Sequence, residues 1–392
     1  MKYDVIVVGA GPAGLMAARE LEGKAKYLII EANKKIGYPL RCGEGVRCRE
    51  FCQLFGSDLP FVVNRVSYQE VRHGDYSRAV SLSYLELDKP RFEQWLSAPL
   101  TSISLSTRCE DVIIRNDCAE VITNRGTFKA GMVVLAYGCN YAVQRRYGLV
   151  KGRPRMITGY GGIYRGRHRT LKHDRFYYYF DDDYLGYLWV FPKGEDTFNI
   201  GFGAYNAVSA REAFSSLTRK HGFDRLERIG SYSGVVPCSG PIDRTYHDRL
   251  IVCGNAAGQV FAGTGEGTYY ALRIGKIAGE IAVRAARNKS YSADALSRYE
   301  DKWKSMFEEA LCGGVAFGEL FALGYKYGQY HKLFSTPSNM ELTNMIQYGK
   351  MPFRTKAARL AARLLVDSQN VMNKEPVPQT VRLIYRVARA FG

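Results

Sequence analysis

Four residues near the start of the sequence have the types and spacing to do chemistry together: Gly9, Gly11, Gly14 and Glu31. The first three lie in DVIVVGAGPAGLMA, residues 4–17, where an apolar run enters a glycine turn and then a helical pattern. Such a turn presents backbone N–H groups and the positive end of a helix dipole to a pyrophosphate. Gly9 permits the tight turn, Gly11 lets the phosphates approach the backbone, and Gly14 lets the helix pack closely on the strand. Glu31 closes the run Tyr27-Leu28-Ile29-Ile30 at the spacing of a carboxylate that grips a ribose 2′-hydroxyl. The chemistry implied is dinucleotide binding.

Three further groups could act with it. Leu250-Ile251-Val252 leads into Gly254-Asn255-Ala256-Ala257-Gly258, and Thr264-Gly265-Glu266-Gly267-Thr268 precedes a helical pattern over 269–286. The first fingerprint suits NAD or FAD alike. A second, distant glycine loop suits a second contact on an extended dinucleotide, where the ribityl chain and isoalloxazine of FAD lie. Tyr187, Trp189 and Phe191 alternate in an apolar run that ends in Pro192-Lys193-Gly194, so on a strand they share one face. Cys42-Gly43-Glu44-Gly45 forms a compact glycine- and cysteine-containing loop. The spacing of Cys42, Cys48 and Cys52 matches no common zinc or iron–sulfur pattern, and no metal is expected.

The elements that must position these groups follow from periodicity. Residues 1–35 read as a βαβ unit, and 61–87, 103–114 and 120–129 alternate like strands. Residues 88–96 read as a helix with Pro90 in its first turn. Met132-Val133-Val134-Leu135-Ala136 reads as a buried parallel strand. Residues 157–235, rich in Tyr, Phe and Gly, read as a mostly antiparallel sheet. From residue 290 onward the pattern is helical. The 392 residues are 46% hydrophobic, enough for a large core and, by length, about two domains. The expected division is 1–60, 88–150 and 236–289 for a discontinuous nucleotide-binding domain, 61–87 and 151–235 for a sheet domain, and 290–392 for a helical region.

Composition narrows the setting. Nine cysteines without a CxxC pair point to a reducing cytoplasm. The chain opens directly on a strand, so no signal peptide is expected. The longest apolar stretch is broken by Gly and Pro, so no membrane span is expected either. Lys and Arg number 55 against 38 acids, a formal charge of +17, which favours anionic partners. No nucleic-acid-binding module is present, so a membrane surface or a phosphate-bearing lipid is preferred to nucleic acid. Phe353, Ala357, Leu360 and Leu364 fall on one helical face flanked by Lys356, Arg359 and Arg363, and Arg382, Arg386 and Arg389 repeat at helical spacing. These stretches read either as peripheral contacts with an anionic bilayer or as solvated faces of packed helices.

Taken together, the four motifs resemble the geranylgeranyl reductase family, FAD flavoproteins of the p-hydroxybenzoate hydroxylase fold, over residues 4–286. The run from Tyr187 is similar to that family's Tyr-x-Trp-x-Phe-Pro signature. The resemblance implies an α/β fold with a discontinuous Rossmann-like FAD-binding domain, a mostly antiparallel β-sheet substrate domain and a helical C-terminal region. It implies that Ala13 and Gly14 face the pyrophosphate, Glu31 the adenosine ribose, Arg91 the phosphate region and Cys109 the adenine. Cys42, Gly43 and Gly45 would border the isoalloxazine. Gly267 and Thr268 would offer N–H groups to its pyrimidine side, stabilising negative charge on reduced flavin. Two positions depart from the family: Asn255 stands where an Asp is usual, and Tyr137 replaces the Asp of Ala-Asp-Gly.

The activity implied is saturation of C=C bonds in geranylgeranyl chains of an ether phospholipid or prenyl diphosphate. A hydride comes from flavin N5, and a proton comes from Cys42, Tyr187 or a water, beside a lipid-facing wall of Tyr187, Trp189 and Phe191. The electron donor is NAD(P)H or a ferredoxin-like protein, and Tyr137 weighs against direct use of NAD(P)H. The alternatives are a flavin-dependent monooxygenase of the same fold, or a flavin- or lipid-binding protein without catalysis.

Overall fold

The computed structural model describes residues 2–205, 209–326, 328 and 330–348. The basic stretches at 353–364 and 382–389 lie outside them. The first sheet runs Tyr246–His247, Leu250–Val252, Gly126–Leu135, Lys2–Val8, Tyr27–Ile30, Ile103–Ser104. Apart from the terminal pair Tyr246–His247 and Leu250–Val252, these pairings are parallel. Val5, Ile6, Val7, Val8 and the run from Met132 to Leu135 are at most 2% exposed, which is why they are apolar on both faces. Helices Pro12–Leu21 and Thr268–Asn288 cross against one another beside this sheet. The approach requires glycine: a Cβ at Gly275 would lie 2.3 Å from the Ala13 carbonyl oxygen. This contact brings the second glycine loop over the first.

The second sheet runs Glu227–Pro237, Met156–Arg165, Thr197–Ala204, Tyr184–Pro192, Arg175–Asp181, Val62–His73, Tyr76–Leu87, Gly45–Arg47. Its pairings are antiparallel except Arg175–Asp181 with Val62–His73. Period two sorts the aromatic strand. Leu188 and Val190 enter a core shared with Phe214 and Leu217 of helix Ala210–Lys220, leaving Tyr187, Trp189 and Phe191 on the other face. Helix Ala293–Lys326 spans both sheets. Near its start Tyr299 donates to the Val252 carbonyl (2.9 Å) and Trp303 to Thr245 Oγ1 (2.9 Å). Near its end Phe321 packs on Phe180 at 5.2 Å between ring centroids.

The α/β class, the mostly antiparallel second sheet and the helical C-terminal region agree with the sequence reading. Two details differ. Residues 45–47, read with the nucleotide-binding part, pair instead with Tyr76–Leu87 in the second sheet. Residues 103–114 are two strands, Ile103–Ser104 and Cys109–Ile114, because Ser106 turns the chain with φ 52°. Among the described residues no helix is long and apolar enough to cross a membrane.

Candidate active site

A groove lies along the C-terminal ends of the parallel strands. Its lining includes Gly9, Gly11, Ala13, Glu31, Cys109, Tyr137, Asn255, Gly267 and Thr268. Gly9 turns with φ +103°, and Gly14 lies beneath it, where a Cβ would fall 1.9 Å from the Gly9 carbonyl oxygen. Gly14 therefore sets the helix–strand distance, and Gly11 and Ala13 face the open space. A Cβ at Gly11 or Gly138 would meet nothing within 4 Å, so the cradle has room for a bulky anionic group over the helix N-terminus. Glu31 is held ready by its own neighbourhood. Its Oε2 accepts from Ala10 N (2.8 Å), and its Oε1 accepts from Asn33 N (2.8 Å) and Nδ2 (2.6 Å). Oε2, with one donor, keeps a lone pair for a sugar hydroxyl.

The groove continues into a cavity between the two sheets, and Arg41, Cys42, Gly265, Gly267 and Thr268 line both. Its walls are aromatic: Tyr84, Phe176, Tyr178, Tyr187, Trp189 and Phe191. Phe176 and Phe191 stack at 4.0 Å and 20°. The Cys42 loop lies directly on them, so a Cβ at Gly45 would come within 2.7 Å of Phe176 Cε2. Tyr187 ties the aromatic strand to the glycine loop by donating to the Thr264 carbonyl. Burial pushes the Cys42 thiol up, although Lys89 pulls it back.

Beneath the Cys42 loop is a buried polar cluster. Asn199 Nδ2 donates to the Cys42 carbonyl (2.9 Å) and to Glu44 Oε2 (3.0 Å), while Trp189 Nε1 donates to Asn199 Oδ1 (3.0 Å). Lys193 pairs with Glu44 and also donates to the Leu87 carbonyl at 2.7 Å. Glu86 is fully buried, and neither carboxylate oxygen has a hydrogen-bond partner among the described residues. Burial drives its pKa well above the ordinary value of 4.5, with Lys193 opposing and Glu44 adding to the rise. A raised folded-state pKa gives stability that is complete below the unfolded value and is lost as pH rises through the folded one. Glu86→Gln removes that loss. Its melting temperature relative to wild type should climb as pH increases above 4.5, whereas a pH-independent difference would refute a neutral Glu86.

Most of the residues read as a site are brought together here. Cys42, Gly43, Gly45, Tyr187, Trp189 and Phe191 line the cavity, and Gly9, Gly11, Ala13, Glu31, Cys109, Asn255, Gly267 and Thr268 line the groove. Arg91 and Gly14 do not. Arg91 is the larger departure. It is exposed and outside the groove lining, whereas Lys89, two residues earlier at the start of the same helix, lines it. Asp88 caps that helix by accepting from Arg91 N (3.1 Å). Gly14 supports the turn rather than facing the groove. Sequence reading missed Glu266 as a buried carboxylate: Arg47 Nε and Nη2 both approach its Oε2 at 2.8 Å. Its only local signal is an acid between two glycines.

No protein-family model matches the chain. Digeranylgeranylglycerophospholipid reductase 2 of Methanothermobacter thermautotrophicus is 32% identical over 348 residues, covering 82% of this chain and 88% of that protein. The chain belongs to the digeranylgeranylglycerophospholipid reductase family. This agrees with the resemblance carried by the four motifs. The family fold is also seen in a geranylgeranyl bacteriochlorophyll reductase-like protein from Thermoplasma acidophilum, with a TM-score of 0.75 at 23% identity, covering 98% of this chain and 99% of that one. A probable FAD-dependent monooxygenase from Pseudomonas aeruginosa has a TM-score of 0.66 at 17% identity, covering 86% of this chain and 100% of that one. The reductase family thus shares its scaffold with flavin-dependent enzymes of other activities.

Proposed function

We propose that the protein is an FAD-dependent reductase that saturates C=C bonds in the geranylgeranyl chains of a phosphate-bearing lipid. The observation that carries this reading is the junction: a pyrophosphate-type groove opens, past Cys42 and Gly267, into an aromatic cavity. In the groove, Gly11 and Ala13 receive the pyrophosphate, Glu31 the adenosine ribose and Cys109 borders the adenine. Asn255, Gly267 and Thr268 hold the ribityl and pyrimidine end, where Asn255 offers a carbonyl acceptor in place of a charge. Bound and reduced, FAD supplies the hydride. The backbone N–H groups at the start of helix Thr268–Asn288 stabilise negative charge at that end of the cofactor. Tyr187, Trp189 and Phe191 hold an isolated alkene in place and exclude water, which matters because such alkenes are poor hydride acceptors.

The +17 charge supports an anionic lipid headgroup, an acidic ferredoxin-like electron donor and contact of the basic C-terminal stretches with an anionic bilayer. Tyr137, whose hydroxyl donates to Gln144 Oε1 at 2.9 Å, leaves no acid at that point for a nicotinamide donor. The test is spectral. Protein loaded with FAD and photoreduced without oxygen should regain its oxidised flavin bands in proportion to added geranylgeranyl ether phospholipid. Failure to take up FAD would leave a lipid-binding protein, and lipid-dependent oxygen consumption would make it a monooxygenase.

A further inference from the structure

We propose that Glu266 is the acid that protonates the alkene carbon opposite the one receiving hydride. The inference rests on the reading of the cavity as the site of geranylgeranyl reduction. Glu266 lies between the two glycines that line both groove and cavity, and it lines the cavity itself. Its side chain is only 9% exposed. Oε2 takes Arg47 Nε and Nη2 at 2.8 Å and the Tyr84 hydroxyl at 3.5 Å. Oε1 is buried with no hydrogen-bond partner among the described residues. A buried carboxyl oxygen left bare is costly unless it carries a proton or meets a ligand.

Four competing phenols donate elsewhere. Tyr187 donates to the Thr264 carbonyl, Tyr178 to Gln69 Oε1 (2.7 Å), Tyr205 to the Ala262 carbonyl (2.8 Å) and Tyr232 to Asn199 Oδ1. Burial raises every one of these phenols and the Cys42 thiol, making each a weaker acid still. Glu266 starts as a carboxylic acid, and burial raises it from the ordinary value of 4.5. Arg47, on the short strand Gly45–Arg47, and the Tyr84 hydroxyl oppose that rise. Glu50, on helix Cys48–Phe55, adds to it. Tyr270 completes the surround by accepting from Arg47 Nη2 at 3.3 Å. A carboxyl shifted upward is still a far stronger acid than a buried phenol or thiol, and general acids work best near the working pH.

The balance closes. The hydride's electron pair, drawn from the reduced cofactor, forms one C–H bond. The π-bond electrons take the Glu266 proton to form the second, and the carbon–carbon bond becomes single. Glu266 is left as a carboxylate held by Arg47, which acts as a positioning residue, until solvent reprotonates it.

The test pairs two readouts on Glu266→Gln, with Glu266→Asp as the variant that keeps the carboxyl. Infrared difference spectra of wild type minus E266Q, without substrate, should contain a protonated-carboxyl band that titrates above the ordinary value of 4.5. In anaerobic single turnovers, E266Q should slow lipid-dependent flavin reoxidation by about 100- to 10,000-fold. The lipid concentration for half-saturation should be unchanged, and E266D should recover part of the rate. The wild-type rate should fall as pH rises through the infrared midpoint, and that limb should vanish in E266Q. E266Q turning over as fast as wild type, or a band titrating at the ordinary value, overturns the proposal. A wild type that never reoxidises overturns the functional reading instead.

Discussion

Lys193→Met is expected to destabilise the protein by about 3–5 kcal/mol, the usual cost of removing one member of a buried ion pair. Glu44 is 2% exposed, and Lys193 is the only cation paired with it among the described residues. Without Lys193 the carboxylate keeps Asn199 Nδ2 (3.0 Å) and Lys89 N (3.0 Å) as donors, but it loses its countercharge. Chemical denaturation measures the loss directly. The double variant Lys193→Met, Glu44→Gln should recover most of it, because the damage is an uncompensated charge rather than lost packing. A single-variant loss below about 1 kcal/mol would place the pair among those that contribute little. The same cluster anchors the Cys42 carbonyl through Asn199, so the single variant should also bind flavin more weakly.

Gly9→Ala is expected to abolish useful flavin binding, weakening FAD by at least about 100-fold. Two costs combine. Gly9 has φ +103°, where a side chain is strained, and its Cβ would lie 2.5 Å from the Ala136 carbonyl oxygen. Backbone strain of that kind costs about 1–3 kcal/mol by itself, and each 1.4 kcal/mol is about tenfold in affinity. The Ala136 carbonyl is backbone just past the strand Gly126–Leu135 and cannot move aside as a side-chain tip can. The turn must shift instead, carrying Gly11 and Ala13 with it. Fluorescence titration of the flavin-free protein with FAD measures the change, and a melting curve separates it from misfolding. An affinity within threefold of wild type would show that this turn does not hold the pyrophosphate.

How much was legible in the sequence follows from how local each interaction is. The glycine turn and Glu31 are encoded within one βαβ unit, where spacing alone fixes geometry. The aromatic wall is equally legible, since alternation puts Tyr187, Trp189 and Phe191 on one face whatever the strand's neighbours. Lys89 and Arg91 were not distinguishable, because a helix start displaced by a residue or two exchanges which cation faces the groove. The buried carboxylates were hidden for a different reason. Arg47 and Glu266 are 219 positions apart, and Glu44 and Lys193 are 149 apart. Nothing local marks either pair. The pairing of residues 45–47 with Tyr76–Leu87 was hidden on the same ground: three residues carry too little periodicity to reveal their partner strand.

The most direct test of the central claim is the mass of the lipid. Flavin-loaded protein, reduced without oxygen and mixed with a geranylgeranyl ether phospholipid, should yield lipid heavier by two hydrogens for each flavin reoxidised. That gain should fall on the prenyl chains and be absent when Gly9→Ala replaces wild type. Flavin that stays reduced over unchanged lipid would contradict the account, as would a product carrying an oxygen atom.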